Sequence, residues 1–258
     1  MSCENTSEIF GLPIRNVALS EASAFLVKAA SARTRRQAFF VNAHCVNVAA
    51  SDKAYLATLA AADMLFADGI GMRIAARLAG VPLIDNVNGT DLFPLLCRDA
   101  AAAGLSIALL GARPEVARRC GQSMVRRFPD LEVAFTHHGY FRDSDVTAVI
   151  REINASGADL LFVAMGVPAQ ELWISKHADE LRIPVLLGVG ALFDFYSGAV
   201  RRAPRLIRRF GMEWAYRFLL EPRRMFARYI LGNPLFIART LSRRARGRAI
   251  LRHAPLQG

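Results

Sequence analysis

Leu65-Phe66-Ala67-Asp68-Gly69-Ile70-Gly71-Met72 runs from apolar residues into an acid and two glycines, and helical spacing of apolar residues begins directly after it. An apolar run, a turn signal and a change of period describe a buried strand handing over to a helix. An aspartate at the tip of such a strand is desolvated, which disfavours its charged form and raises its pKa toward what a general base near neutral pH needs. Asp-Gly is equally a common turn, in which case Asp68 caps the following helix. The octet alone leaves both readings open.

Working outward, the same handover repeats. Leu19 to Ala32 has helical spacing, and Ala38-Phe39-Phe40-Val41 is a short buried strand ending in Asn42. Val46 to Ala61 is helical, Met64 to Ala67 is the strand before Asp68, and Ile70 to Ala79 is the helix after it. A helix from Gly89 to Ala103 follows the loop around Asn86 to Asn88. Strands are then expected at 105–110, 131–136, 159–164 and 184–188, with helices at 115–128, 145–155 and 170–181. Near-continuous apolar strands alternating with helices predict an α/β fold, a Rossmann-like, mostly parallel sheet with helices on both faces.

In such a sheet ligands lie beyond the carboxyl ends of the strands. The polar residues and glycines expected there are Asn42, Asp68, Gly111, Tyr140, Gly166 with Gln170, and Gly188 with Gly190.

At 258 residues and 53% hydrophobic content the chain can bury a large core. Met1 to Phe10 contain neither a positive leader nor an apolar run, which predicts no secretory signal. No window reaches the roughly 18 apolar residues of a membrane span, so the expected location is the cytoplasm. The cysteines, Cys3, Cys45, Cys97 and Cys120, lie far apart and read as reduced thiols.

The formal net charge of +11 is unevenly distributed. Residues 201–258 hold fifteen arginines against Glu213 and Glu221, a surplus of 13, while the preceding 200 residues carry a deficit of 2. From about Val200 the arginines recur at helical intervals among Trp214, Phe218, Leu219, Met225, Phe226, Ile230 and Leu231, as in a basic amphipathic segment at a membrane interface. Two parts are therefore expected: an α/β catalytic domain over 1–199 and an arginine-rich, membrane-associating helical appendage over 200–258.

Gly69-Ile70-Gly71 and Gly188-Val189-Gly190 each lack the third glycine of a dinucleotide fingerprint, which disfavours a dehydrogenase. Asp143-Ser144-Asp145 has the spacing some transferases use to hold a divalent metal, but Asp and Ser also favour helix starts, and that reading is preferred. His137 and His138 are adjacent on a strand and point to opposite faces, which argues against a shared ion.

Seven motifs in order resemble the WecG/TagA/CpsF glycosyltransferases, glycosyltransferase family 26. They are Phe-Ala-Asp-Gly-Ile-Gly at 66–71, Val-Asn-Gly-Thr-Asp-Leu at 87–92, Leu-Leu-Gly-Ala-Arg-Pro at 109–114, His-His-Gly-Tyr-Phe at 137–141, Met-Gly-Val-Pro-Ala-Gln-Glu at 165–171, Gly-Val-Gly-Ala-Leu-Phe-Asp at 188–194, and the stretch from Glu213-Trp214 to Arg223-Arg224.

The resemblance implies an inverting enzyme that moves a sugar from a nucleotide diphosphate, usually UDP, to a polyprenyl-diphosphate-linked saccharide at the inner face of the bacterial cytoplasmic membrane. It assigns Asp68 as base, with Asn42 and Gln170 lining the same pocket, and Gly111, Tyr140, Gly166 and Asp194 on the donor side. Arg217 and Arg224 are assigned to the acceptor diphosphate. The lack of a convincing metal motif predicts no metal cofactor, and the basic, apolar-interleaved C-terminal end predicts an anionic membrane surface as partner and no nucleic acid; a homo-oligomer is left open.

Two positions depart from the family pattern. Phe40 stands where threonine is common and Asn86 where arginine is common, and both are expected near the sugar pocket. With Asn-Ala-His-Cys at 42–45, they point to a xanthan-type glucosyltransferase subgroup and away from the usual N-acetylmannosamine donor. The alternative class is a nucleic-acid-binding α/β protein using its basic end. The apolar residues among the arginines suit a lipid interface better than a duplex.

Overall fold

The computed structural model describes residues 6–204, 206–207 and 212–245. Its strands are β1 (Thr6–Ile9), β2 (Leu12–Arg15), β3 (Arg36–Val41), β4 (Met64–Ala67), β5 (Ser106–Gly111), β6 (Glu132–His137), β7 (Leu160–Ala164) and β8 (Val185–Gly188). They form one sheet in the order β1-β2-β4-β3-β8-β7-β5-β6, antiparallel between β1 and β2 and parallel elsewhere. The expected parallel sheet is present, and its six predicted strands lie within a residue or two of the observed ones.

The sheet is covered on both faces, because each central strand sends alternate side chains to opposite sides. Phe39, Val41, Leu65, Ala67, Leu110, Leu161 and Val163 join one core cluster. Their neighbours Ala38, Phe40, Met64, Phe66, Leu109, Leu160 and Phe162 join the other. The first cluster is closed by α2 (Ala43–Ala49), α3 (Lys53–Ala61), α4 (Gly69–Leu78), α7 (Val146–Ala155) and α8 (Ala169–His177). The second is closed by α1 (Leu19–Ser31), α5 (Gly89–Ala102), α6 (Val116–Arg127) and α9 (Leu192–Tyr196). Each fully buried Leu, Ile, Val or Phe contributes about 1.5–3 kcal/mol, so the two-sided strands hold the architecture together.

Two local features differ from expectation. The β1–β2 hairpin adds an antiparallel edge, joined by a two-residue turn in which Phe10 and Gly11 both have positive φ, 59° and 80°. The helix expected over 46–61 is instead two helices. Its second half starts afresh at Asp52, whose side chain accepts a hydrogen bond from the Tyr55 N–H at 3.0 Å.

The C-terminal segment forms α10 (Glu213–Leu220), α11 (Pro222–Phe226), a π-helical turn (Ala227–Leu231) and α12 (Gly232–Ala245). It packs into the α/β core. Phe236 is buried with its ring 5.3 Å from that of Phe10, and Asn47 Nδ2 donates to the Gly232 carbonyl at 2.7 Å. At Gly71 in α4 a Cβ would lie 3.4 Å from the Phe236 ring and 3.3 Å from Ala43 Cβ, so glycine there lets α12 and α2 close on α4.

Candidate active site

The site begins with strand register. Val41 pairs with Ala67, so the residues that follow, Asn42 and Asp68, leave the sheet side by side, and the Asp68 N–H donates to the Val41 carbonyl at 2.8 Å. Asn42 caps α2: its Oδ1 accepts from the His44 and Cys45 N–H groups at 3.0 and 3.2 Å. That fixes its amide so that Nδ2 faces Asp68 Oδ2 at 3.4 Å. Asp68 sits at the N-cap position of α4 but makes no side-chain capping bond. The cap reading therefore fails, and the carboxylate is left facing a cavity.

That cavity, about 590 Å³, is lined at its polar end by Asn42, His44, Asp68, Asn86, Asn88 and Thr90. The C-terminal segment supplies the facing wall, including Glu213, Trp214, Arg217, Arg228 and Tyr229. Burial pushes the Asp68 carboxyl up to about 6; the Asn42 hydrogen bond and the Arg228 charge act in the opposite direction without cancelling it. His44 is driven down to about 4, first by burial and then by Arg228, so its imidazole is neutral at pH 7. A carboxylate that titrates near 6 beside cationic arginines can accept a proton from a substrate hydroxyl while a neighbouring anion is stabilised.

The residues expected from sequence divide into two groups. Asp68, Asn42 and Arg217 meet at the cavity, where the Arg217 guanidinium lies 5.3 Å over the Phe195 ring. Gln170 is not among the lining residues. It is buried, its Oε1 accepts from the Gly166 and Gly190 N–H groups at 3.2 and 2.8 Å, and its Nε2 donates to Glu171 at 2.7 Å. It ties together the loops after β7 and β8. Gly111 ends β5, while Gly166 and Tyr140 stand on the loops after β7 and β6, along the same sheet edge but outside the cavity lining.

Gly111 has φ +134°, and a Cβ there would come 2.4 Å from the Ala164 carbonyl oxygen, so the paired ends of β5 and β7 leave no room for a side chain at this position. Tyr140 is 71% exposed, and Asp194 is buried in α9. The side chain of Arg224 lies outside the described part of the structure.

Asn86 lines the cavity, and its Oδ1 accepts from the Gly69 N–H at 2.6 Å, holding the turn that aims Asp68. Phe40, expected beside the sugar, is instead buried in the second core cluster with its ring 5.8 Å from that of Phe66. Arg228 was not singled out from sequence. The available signal was its place in the basic, aromatic-interleaved run Arg223-Arg224-Met225-Phe226-Ala227-Arg228-Tyr229.

Asp143–Asp145 forms a 3₁₀ turn leading into α7, with Asp145 paired to Arg142 at 3.2 Å. Among the described residues no group of three or more His, Cys, Asp and Glu side chains is placed to hold a metal ion.

Residues 7–250 match the family description "Glycosyl transferase WecG/TagA/CpsF family". The chain belongs to this family. Among its relatives is the N-acetylglucosaminyldiphosphoundecaprenol N-acetyl-beta-D-mannosaminyltransferase of Bacillus spizizenii, 36% identical over 187 residues, which are 72% of this chain and 71% of the relative. The protein of the same name from Staphylococcus aureus (strain NCTC 8325) is 34% identical over 184 residues, 71% of this chain and 72% of the relative. The WecG/TagA/CpsF match extends through the C-terminal helices that complete the Asp68 cavity, so the cavity belongs to the matched part of the chain. As a member of this family the protein is a glycosyltransferase.

Proposed function

We propose that this glycosyltransferase moves a sugar, with inversion, from a UDP-sugar to a polyprenyl-diphosphate-linked saccharide during assembly of a surface or secreted polysaccharide. The observation that carries the reading is Asp68, held by Asn42 and raised to about 6, facing a cavity that Arg217 and Arg228 also line. In a single displacement Asp68 takes the proton of the acceptor hydroxyl as that oxygen bonds to the anomeric carbon. The bond from that carbon to the donor diphosphate breaks on the opposite side, and UDP leaves with the electron pair. Arg228 or a helix N-terminus meets the departing diphosphate, leaving Arg217 to the acceptor diphosphate, without requiring a metal ion.

The relatives' names support the acceptor class, since both describe transfer to a diphosphoundecaprenol-linked sugar. Peripheral attachment to the inner face of the cytoplasmic membrane is supported by the exposed Leu219, Leu220, Phe226, Leu231, Leu235 and Leu241 among the C-terminal arginines. Among the described residues no helix is long and apolar enough to cross a membrane. The donor sugar is the open specificity, N-acetylmannosamine or glucose, and Asn86 is the cavity residue placed to influence it.

The test is a screen of purified protein with UDP-N-acetylmannosamine, UDP-glucose and related donors against synthetic lipid-diphosphate mono- and disaccharides. One donor should be turned over, and Asp68→Asn should stop transfer. Absence of transfer from every UDP-sugar, or transfer untouched by Asp68→Asn, would overturn the reading.

A further inference from the structure

The Asp68 cavity takes its walls from two distant parts of the chain, the strand-tip loops with the start of α5 on one side and the C-terminal segment on the other. Arg202, in the stretch between α9 and α10, joins them. Its Nη2 donates to Asp91 Oδ1 at 2.7 Å and its Nε to Glu213 Oε1 at 3.3 Å, so one guanidinium holds two carboxylates. Its side chain is only 19% exposed, which limits screening of both pairs by solvent.

Each carboxylate belongs to one wall. Asp91 stands in the first turn of α5 and is fixed there by Asn88, which lines the cavity: Asn88 Nδ2 donates to Asp91 Oδ2, and the Asp91 N–H to Asn88 Oδ1, both at 2.8 Å. Glu213 opens α10 and lines the cavity itself, followed directly by Trp214 and one turn later by Arg217. Both carboxylates also act on the base. Burial does most to raise the Asp68 pKa, and the Glu213 and Asp91 charges add to it, against the Asn42 hydrogen bond and the Arg228 charge.

We propose that Arg202 is a positioning residue for the transfer: by holding Asp91 and Glu213 on one guanidinium it sets the C-terminal wall, with Trp214 and Arg217, against the strand-tip loops, and offsets the two carboxylate charges that act on Asp68. Its link to catalysis rests on the glycosyl-transfer reading; the placing of the wall does not. Without Arg202, Asp91 and Glu213 lose their shared cation, and like charges push the two walls apart. Lysine at this position keeps the charge but not the planar fork that spans two carboxylates.

Trp214 reports the wall directly, because in a Trp173→Phe background it is the sole tryptophan. There, Arg202→Met should shift Trp214 emission to the red and increase its quenching by acrylamide, with Arg202→Lys in between. With the donor identified by the UDP-sugar screen, Arg202→Met should lower kcat about 10- to 100-fold, the order of cost of a misplacement of about 1 Å. It should also move the acid limb of the pH–rate profile upward by less than about one pH unit, since two carboxylates are no longer offset. Arg202→Lys should lower kcat less and leave the acid limb in place, and Glu213→Gln should move the limb downward. Circular dichroism checks the fold of Arg202→Met; the Lys and Gln variants carry the same comparison should that variant not fold.

Unchanged Trp214 emission and quenching in Arg202→Met, normal turnover, an acid limb left in place, or an Arg202→Lys enzyme no better than Arg202→Met would each overturn the proposal. Absence of transfer from every UDP-sugar would remove the glycosyl-transfer reading, and the Trp214 measurement would then decide the placing of the wall by itself.

Discussion

Asp68 and Glu171 are both carboxylates near the start of a helix that follows a buried strand, and burial raises both, to about 6 and about 7. Their surroundings separate them. Asp68 faces a cavity of about 590 Å³. Glu171 has no exposed surface; one oxygen accepts from Gln170, and the other has no hydrogen-bond partner among the described residues. The buried Cys45 and Tyr55 are close enough for the Glu171 charge to raise both of their pKa values. A raised carboxyl is therefore not sufficient for a base. Asp68 can meet a substrate hydroxyl, whereas Glu171 can only hold Gln170, and through it the loops at Gly166 and Gly190.

The largest expected effect is on turnover. Asp68→Asn should lower kcat by about 10²- to 10⁴-fold with the fold intact, while Glu171→Gln stays within about threefold of wild type. Comparable losses in steady-state assays would erase the distinction between the two carboxyls. Next in size is the pH dependence. Asp68 must be ionised to act, so kcat/KM should fall about tenfold per pH unit below about 6 and level off above it. A pH–rate profile flat down to pH 5 would remove Asp68 from the proton transfer.

The stability of the two carboxyls responds to pH with the opposite sign from an ordinary ion-paired acid. The folded-state value of Glu171 lies above its unfolded value of 4.5, so its penalty is absent below that pH, grows as pH rises to about 7, and is constant beyond. That shift corresponds to about 3 kcal/mol. Glu171→Gln, which cannot ionise, should melt on the order of 5–10 °C above wild type at pH 8 and no higher at pH 4. Equal melting temperatures at pH 8 would show that ionised Glu171 is tolerated. The smallest effect sharpens the contrast further. Arg228 lowers the Asp68 pKa, so Arg228→Ala should move the acid limb of the rate profile upward by less than a pH unit. The Glu171-dependent part of the melting curve should not move.

Most of the sheet was legible from sequence because strands β3 to β8 are short apolar runs bounded by turn residues, and that signal is local. The hairpin was not. Its strands are four residues each, one contains Pro13, and its turn places Phe10 at positive φ where Asn or Gly is usual. What stabilises that turn residue is a distant contact, the ring of Phe236. Asp68 was legible as a polar residue at a strand tip, and its absent capping bond was not, since that depends on where Asn42 and Asn86 point.

The sequence by itself determined the α/β class, the strand ends at which Asn42 and Asp68 stand, and the concentration of arginine after Val200, because periodicity, turn chemistry and charge are properties of neighbouring residues. Only the tertiary structure decided that Gln170 turns inward to clamp two loops, that Phe40 fills the core, and that Arg228 and α12 close over Asp68. Those outcomes depend on which distant elements pack together. Access and desolvation at a side chain are set by what is stacked upon it, and no local pattern in the chain carries that information.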